Sequence, residues 1–210
     1  MSSAPPVEGD SPSPATRAPR RARGQLRVVA LLAAAAGVFA QKGFEAATMT
    51  EIAAQSESSI GSLYQFFKTK EAVAEAVLRA QLDALWQRFD ALGERAPALA
   101  TPELGRALAR LLVDFRAAHP SFARLVDAPG APHELVHSVR RHMRERIVDV
   151  LARHRPDTAR TAFAAMAPAV QQAMKAAVQL QAEFEGAERQ AALRELEAML
   201  AGYLVARLGD

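Results

Sequence analysis

Residues Thr48 to Lys70 read TMTEIAAQSESSIGSLYQFFKTK, and this stretch decides the fold of the chain. Thr48 is followed three residues later by Glu51, which is a capping box and predicts that a short helix begins here. The polar run SESS at residues 56–59 cannot continue the apolar face of that helix and is interpreted as a turn. Its last serine is suited to cap a second helix, which the pattern predicts over residues 60–66.

The second helix is too short to be stable alone and must be held by packing. Leu63, together with Phe66 or Phe67, is predicted to supply the inward contacts. The side chains that then point away from the core are polar or amphipathic: Ser62, Tyr64 and Gln65. Gly61 inside a helix costs about 1 kcal/mol relative to alanine, which indicates that another molecule approaches its backbone closely.

Two short helices around a tight turn form a helix-turn-helix, whose second helix enters the major groove of DNA. Ser62 and Gln65 both donate and accept hydrogen bonds, so they are predicted to meet base edges. The other predicted contacts lie along the same surface: Thr48, Ser58, Ser59, Ile60, Gly61, Tyr64, Lys68 and Lys70. The alternative interpretation is a solvated polar turn beside a core tyrosine.

A supporting helix is predicted upstream, over residues 25–41, with Gly43 as its stop. Its apolar stripe recurs at spacings of three to four: Val28, Leu32, Ala35 and Phe39. From this helix through KGF at 42–44 to the segment FKTKE at 67–71, the pattern resembles the TetR family of bacterial transcriptional regulators.

The resemblance implies an all-α fold in two parts. An N-terminal three-helix DNA-binding domain with a helix-turn-helix precedes a C-terminal helical ligand-binding and dimerisation domain. The position before Gly61 is often basic in this family, and here it is Ile60. Either a phosphate or base contact is lost at that position, or Ile60 touches a thymine methyl group.

Three regions are predicted: a disordered basic tail at 1–22, the DNA-binding domain at 23–70, and the effector-binding and dimerisation domain at 71–210. Four arginines end the tail: Arg17, Arg20, Arg21 and Arg23. They form either an arm that follows DNA or the basic end of a solubilising tail. Residues 17–70 contain eight Lys/Arg and three Asp/Glu, whereas the residues beyond 70 contain eighteen Lys/Arg and eighteen Asp/Glu. The positive charge therefore lies on the half that is predicted to bind DNA.

A competing interpretation of the N-terminus is a secretory signal, because RRAR at 20–23 precedes the apolar run VVALLAAAAGVFA. That run is mostly alanine, and cleavage near Ala40 would remove the helix that supports the motif. The sequence contains no cysteine and no uninterrupted apolar stretch of 18 residues. A cytoplasmic protein without a membrane partner is therefore expected.

Downstream of Lys70, one helix is predicted over 71–93, and a second begins at a Thr101 cap followed by Pro102. Further helices are predicted over 121–127, 133–154, 156–181 and 187–208, with a kink or break at Pro168. The apolar stripes of the last two predict a dimer surface: Met166, Val170, Met174, Leu193, Leu196, Leu200, Tyr203 and Leu204. A homodimer would read a palindromic operator in double-stranded DNA. Large side chains in the middle of the chain are candidates for an effector pocket, although each taken singly is better explained as core: Trp86, Phe89, Phe115, Phe122, Met143 and Phe163.

Catalysis is not predicted, since the sequence has no nucleophile elbow, phosphate loop, zinc signature or cofactor fingerprint. His133, His137 and His142 lack a carboxylate or cysteine to complete a metal site, so no metal or other cofactor is expected. The arginines of 140–146 are interpreted as a solvated face, with an anionic ligand as the alternative. The sequence thus predicts a ligand-released repressor with an unknown small-molecule effector. A helical ligand-binding or scaffolding protein that has lost DNA binding is the alternative.

Overall fold

The computed structural model describes residues 17–126 and 133–210, and within these residues it is helical apart from short connections. The helices are α1 (Arg17–Ala46), α2 (Met49–Gln55), α3 (Ile60–Phe66), α4 (Lys70–Arg95), α5 (Thr101–Ala118), α6 (Pro120–Val126), α7 (His133–His154), α8 (Arg160–Glu183) and α9 (Gly186–Leu208). A single 3-10 turn, Ala96–Ala98, joins α4 to α5. The prediction of an all-α fold is confirmed.

The first three helices pack around one shared apolar core. Leu31 and Phe39 of α1, Ile52 of α2 and Leu63 of α3 are completely buried in it. Leu32, which the predicted stripe placed in the core, is only partly buried. Ala35 and Phe39 are completely buried as predicted, and Leu31 beside Leu32 widens the buried face.

α1 is interrupted at Gly43, the glycine that was predicted to stop it, and one short turn up to Ala46 follows. Gly43 has a φ of 76° and a ψ of 178°, a conformation that interrupts the helix and that side chains rarely adopt. The chain then turns back, and the Phe44 ring lies 6.1 Å from the ring of Phe39. This reversal leads directly into Thr48 and the start of α2.

α1 begins earlier than the sequence predicted. Residues 17–22 belong to this helix, although they were assigned to the disordered tail. Residues 1–16 of that predicted tail lie outside the described residues, as does the loop predicted at 128–132.

α4 joins the two halves of the molecule. Thr69 caps it by accepting a hydrogen bond from the Ala72 amide at 3.2 Å. Val73 and Val77 near its start and Leu85 and Phe89 further along are buried in one continuous core cluster. The helix therefore connects the helix-turn-helix to the downstream helices through both covalent structure and packing.

The downstream half is organised around α5, which packs against α8 and α9, while α7 packs against α4 and α8. At the α5–α9 contact, a Cβ added to Gly105 would lie only 2.6 Å from the Ala201 Cα atom. Nearby, Arg110 donates to the buried carboxylate of Glu197 at 2.6 Å. A glycine at position 105 is required there because the two backbones approach closely.

α6 is a short helix that lies against α1 and α4. Its buried Ser121 hydroxyl accepts a hydrogen bond from the Gln81 amide of α4 at 2.6 Å. The Gln81 Oε1 atom is buried and has no partner among the described residues. The downstream half thus touches the DNA-binding half through α6 as well as through α4.

Two local predictions about the downstream helices are wrong. Thr101 is not the cap of α5: Ala100 occupies that position, and its amide donates to Glu103 at 3.0 Å. Thr101 is instead buried, and its hydroxyl oxygen lies 3.0 Å from the His154 Nε2 atom. The same oxygen accepts a hydrogen bond from the Arg155 guanidinium at 3.0 Å. Of the kink or break predicted at Pro168, the break does not occur, because α8 continues as one helix from Arg160 to Glu183; a kink there stays a prediction.

One stretch of the described residues, Gly24–Ala46, is long and apolar enough by length and composition to cross a membrane. Core helices of soluble proteins and signal sequences pass the same test. This stretch supplies Leu31, Val38 and Phe39 to the core that supports α2 and α3, which is the role predicted for it.

Candidate nucleic-acid interface

The helix-turn-helix begins with the predicted capping box. The Glu51 amide donates to the Thr48 hydroxyl at 3.2 Å, and the Thr48 amide donates to the Glu51 carboxylate at 3.1 Å. The same carboxylate pairs with Lys42 at the end of α1. Hydrogen bonds from Lys42 and then from Thr48 hold the pKa of Glu51 below its usual range.

The turn between α2 and α3 is closed by the backbone. The Ser58 amide donates to the Ala53 carbonyl at 3.0 Å, and the intervening Glu57 has a φ of 53°. A left-handed residue that is not glycine is uncommon, and no local sequence signal indicates one at Glu57. This conformation lets α3 begin immediately after the tight turn.

α3 has the predicted boundaries, Ile60–Phe66, and the predicted cap. The Ser59 hydroxyl accepts from the Ser62 amide at 3.1 Å. Leu63 is completely buried, and Phe67 packs against the core, whereas Phe66 is 38% exposed. Phe67 is therefore the inward aromatic residue of the two that the sequence left open.

The outer surface of α3 carries four of the predicted contact residues. Ile60 is 40% exposed, Tyr64 is 43% exposed, and Gln65 is also exposed. A Cβ added to Gly61 would meet no described atom within 4 Å. Nothing in the described part of the chain requires a glycine here, so the space above it is open to another molecule.

Ser62 differs from the prediction that it points away from the core. The residue is partly buried, and its hydroxyl is buried with no hydrogen-bond partner among the described residues. On the same helix the exposed side chains that can both donate and accept are those of Tyr64 and Gln65.

The remaining predicted contacts surround α3. Thr48 and Ser59 are exposed, and their hydroxyl oxygens accept the capping hydrogen bonds. The partly buried Ser58 hydroxyl donates to the Ser56 carbonyl at 3.3 Å. Each of these groups lies at the start of a helix, next to backbone amides.

The two lysines after α3 occupy different environments. Lys68 is exposed, whereas the Lys70 ammonium donates to the carbonyls of Phe44 at 2.8 Å and Glu45 at 3.0 Å. It also lies 4.5 Å from the centre of the Phe44 ring. Lys70 therefore ties α4 to the end of α1. The sequence held no local signal for this bond, because its acceptors lie 25 and 26 residues away.

The residues predicted to line an effector pocket lie in the core of the downstream half. Trp86 is partly buried, and the other five are buried: Phe89, Phe115, Phe122, Met143 and Phe163. The Phe115 and Phe122 rings meet edge to face at 5.1 Å. The Trp86 ring lies 6.2 Å from that of Phe89 and 5.9 Å from that of His142. An effector pocket among them stays a prediction.

The basic run on α7 is largely engaged by neighbours. Arg146 pairs with Asp90 at 2.7 Å, and Arg144 donates to the Gln171 side chain at 3.3 Å. Arg141 and Arg144 border a shallow groove of about 440 Å³ between α7 and α8. The described residues contain no group of three or more potential metal ligands, and the side chain of His133 lies outside them.

The predicted dimer surface is wrong for five of its eight residues. These five are buried within the single chain: Met166, Val170, Met174, Leu200 and Leu204. Leu193, Leu196 and Tyr203 are partly exposed. Exposed positions of the last two helices include small and apolar side chains, among them Ala165, Ala169, Ala198, Met199 and Gly202, beside charged ones such as Arg194 and Glu195.

Comparison with known proteins agrees with this arrangement. Residues 31–77 match a family model described as bacterial regulatory proteins, tetR family. Residues 101–204 match one described as tetracyclin repressor-like, C-terminal domain. Over 96 residues the chain is 35% identical to the HTH-type transcriptional repressor KstR2 of Mycolicibacterium smegmatis. That alignment covers 46% of this chain and 45% of the repressor, so the chain spans about half the length of this curated relative.

Solved structures share the fold over most of the chain. A TetR-like transcriptional regulator from Rhodococcus sp. RHA1 is 26% identical, with a TM-score of 0.60 over 86% of this chain and 96% of that one. A putative TetR-family regulator from Mesorhizobium loti is 16% identical, with a TM-score of 0.69 over 88% and 97%. The regulator FadR from Bacillus subtilis, solved in complex with stearoyl-CoA, is 14% identical, with a TM-score of 0.57 over 82% and 97%. The last two likenesses concern the fold alone.

Proposed function

The chain belongs to the TetR family of bacterial transcriptional regulators, and we propose that it is a repressor that binds a palindromic operator as a homodimer in the cytoplasm. A small-molecule effector would release it. The family consists of DNA-binding transcription factors without enzymatic activity, so the prediction that this chain is not an enzyme is confirmed.

The surface of α3 is the observation that carries the proposal. Its caps and the buried Leu63 hold the helix rigidly, while Gly61 leaves open space on the outside. A seven-residue helix held in this way fits the major groove, where each base pair offers a distinct set of donors and acceptors.

The predicted contacts divide into two classes. Gln65 is accessible and is assigned to a base edge, with Ser62 as a second candidate whose hydroxyl must first become accessible. Lys68 and the hydroxyl groups around α3 are assigned to phosphates: Thr48, Ser58, Ser59 and Tyr64. Lys70 keeps one ammonium hydrogen for a phosphate, because two are used within the chain.

The homodimer is proposed to form through the outer face of α8 and α9. A single α3 reads few base pairs, and two copies on a palindrome double the contacts. The small exposed residues of this face, such as Ala198 and Gly202, permit close approach of a second copy.

An effector would act by favouring one of two arrangements of the downstream helices. α4 carries any shift to the helix-turn-helix, because it starts at the Thr69 cap beside α3. α6 supplies a second route through its packing on α1 and the hydrogen bond from Gln81 to Ser121. An effector that binds tightly but leaves operator affinity unchanged would contradict this coupling.

The first experiment is titration of the full chain on duplexes selected from a random pool, with random duplex beside them, over a range of salt concentrations. Wild-type protein is expected to prefer the selected duplex and to bind as two subunits. Lys68→Ala should weaken binding to both kinds of duplex and lower the salt slope by about one. Gln65→Ala should lose preference for the selected duplex while keeping most of its affinity for random DNA.

Two results would count against the proposal. Equal losses of Gln65→Ala on selected and random duplex would remove its role at a base edge. A chain that fails to enrich any duplex, even at low salt, would favour the alternative, a helical ligand-binding or scaffolding protein. The exposed Ile60 in place of a basic residue is the feature that keeps this alternative in view.

A further inference from the structure

The first turn of α3 presents an apolar side chain where a polar surface is expected. Ile60 is the first residue of the helix, is 40% exposed, and lies outside the apolar core that holds α3 in place. Gly61 beside it adds no side chain, and no described atom would meet a Cβ there within 4 Å. Tyr64 follows one helical turn after Ile60, so the two lie on the same flank.

The position of Ile60 determines what it meets when α3 enters the major groove. The N-terminal residues of a recognition helix are the ones that contact base edges. With Gly61 beside it, the backbone of this turn can approach the DNA closely, and the branched side chain reaches the floor of the groove.

Isoleucine has no hydrogen-bond donor or acceptor, so it can distinguish base pairs only through apolar contact. The C5-methyl group of thymine is the one apolar group that the four base pairs present in the major groove. Against a phosphate the same side chain would displace water from a charge and give no hydrogen bond in return. The chemistry of the site therefore favours a base contact over a backbone contact.

We propose that Ile60 is a specificity-determining residue that packs against the methyl group of one thymine in each operator half-site. Gln65, one turn after Gly61 on the outer surface, reads a neighbouring base through hydrogen bonds. This inference rests on the proposed function, because it assigns a base to the same surface of α3.

The test uses a duplex selected by the full chain, in which each thymine is replaced in turn by deoxyuridine. This replacement removes only the methyl group and leaves base pairing intact. One thymine per half-site is expected to weaken wild-type binding about fourfold when its methyl is lost, the equivalent of one buried methylene. Replacement in both half-sites should multiply the two effects.

Variants of Ile60 identify the side chain that senses the methyl group. Ile60→Ala should bind the thymine duplex more weakly and show no further loss with deoxyuridine at that position. Ile60→Val retains a branched apolar side chain and should keep most of the difference. Gln87→Ala, at an exposed position of α4 outside the proposed DNA contacts, is the control, and it should remain as sensitive to the methyl group as the wild type.

The result that overturns the inference is deoxyuridine sensitivity that is the same in wild type and in Ile60→Ala at every position. The chain would then still be a selective DNA-binding protein, and only the role of Ile60 would be lost. A chain that enriches no duplex over random DNA overturns the proposed function, and this inference with it. Because Ile60 lies outside the core, thermal unfolding of Ile60→Ala at the wild-type temperature verifies that the variant is folded.

Discussion

Among single residues, Gly61 is a position where one substitution should change stability and DNA affinity in opposite directions. A Cβ at this position meets no described atom within 4 Å, and alanine is favoured over glycine in a helix by about 1 kcal/mol. Gly61→Ala is therefore expected to raise the free energy of unfolding by up to that amount and to weaken DNA binding, because the methyl group fills the space that DNA approaches. Urea unfolding and fluorescence anisotropy measure the two effects.

Gly105→Ala is the matched comparison, because its Cβ would lie 2.6 Å from the Ala201 Cα atom. It should lower the free energy of unfolding by about 1–3 kcal/mol, as overpacked cores do. Unchanged DNA affinity in Gly61→Ala would mean that nothing approaches the backbone of α3 at this point.

Lys70 and Lys68 are two residues apart, and we expect Lys70 to stabilise the fold and Lys68 to bind DNA. Lys70→Ala removes two hydrogen bonds to the carbonyls of Phe44 and Glu45 and a cation–π contact. We expect it to lower the free energy of unfolding by about 1–2 kcal/mol. Lys68→Ala should leave stability unchanged and weaken DNA binding. A Lys70→Ala protein as stable as wild type would contradict the structural role of this lysine.

Among the elements, two helices carry a carboxylate in their first turn: Glu51 in α2 and Glu71 in α4. The pKa of Glu51 is lowered by hydrogen bonds from Lys42 and then Thr48, and that of Glu71 by its own backbone amide and then the Thr69 hydroxyl. A lowered pKa in the folded state means that the unfolded chain binds protons more readily. The stabilisation by these groups is therefore complete above their ordinary pKa of 4.5 and is lost as the pH falls through the lower, folded value.

The prediction is that wild-type stability decreases as the pH is lowered from about 5 to 3, and that Glu51→Gln shows a shallower decrease. The glutamine retains the size of the side chain but cannot titrate. Urea unfolding at a series of pH values measures the slope, with Glu45→Gln as a control on an exposed glutamate of the same domain. Parallel slopes for wild type and Glu51→Gln would contradict the capping contribution.

The helices also show which structural features can be predicted from local sequence and which cannot. The boundaries of α3 and the caps at Thr48 and Ser59 were predicted correctly, because a cap and its partner lie three residues apart and the signal is local. The bond from Lys70 to Phe44 and the burial of Thr101 against His154 were missed, because their partners are distant in sequence.

The dimer surface predicted from the apolar stripes of α8 and α9 was incorrect for another reason. Apolar periodicity predicts that a face is buried, but it does not say whether the same chain or a second copy covers it. Met174 and Leu204 proved to be covered by their own chain. For the same reason the six large side chains of the predicted pocket could be placed in the interior without any indication of whether they enclose a ligand.

At the scale of the whole molecule, one core cluster runs from α1 to α9. A helix-turn-helix attached through a flexible linker could move without the downstream half, whereas here α4 and α6 both cross between the two halves. Since the core is continuous, a rearrangement downstream must be accommodated by α1 or α4. The packing contacts of α4 and α6 that stabilise the fold would therefore be sufficient to couple an effector site to the helix-turn-helix.

The homodimer proposed above provides the last prediction. Met199 is 59% exposed on the outer face of α9, so Met199→Glu should leave the fold of one chain intact. In a dimer through this face, the substitution places carboxylates in an apolar contact and should weaken self-association roughly 100-fold or more. Affinity for a palindromic duplex should fall with it, because the two recognition helices no longer bind as one unit.

Sedimentation over a range of protein concentrations measures the association, and anisotropy on a full palindrome and on one half-site measures DNA binding. The control is Gln87→Glu, which introduces the same charge at an exposed position of α4 away from this face. A Met199→Glu protein that remains dimeric and binds the palindrome like wild type would exclude this part of α9 from the interface. Binding that falls on the palindrome but not on the half-site would link dimer formation directly to operator affinity.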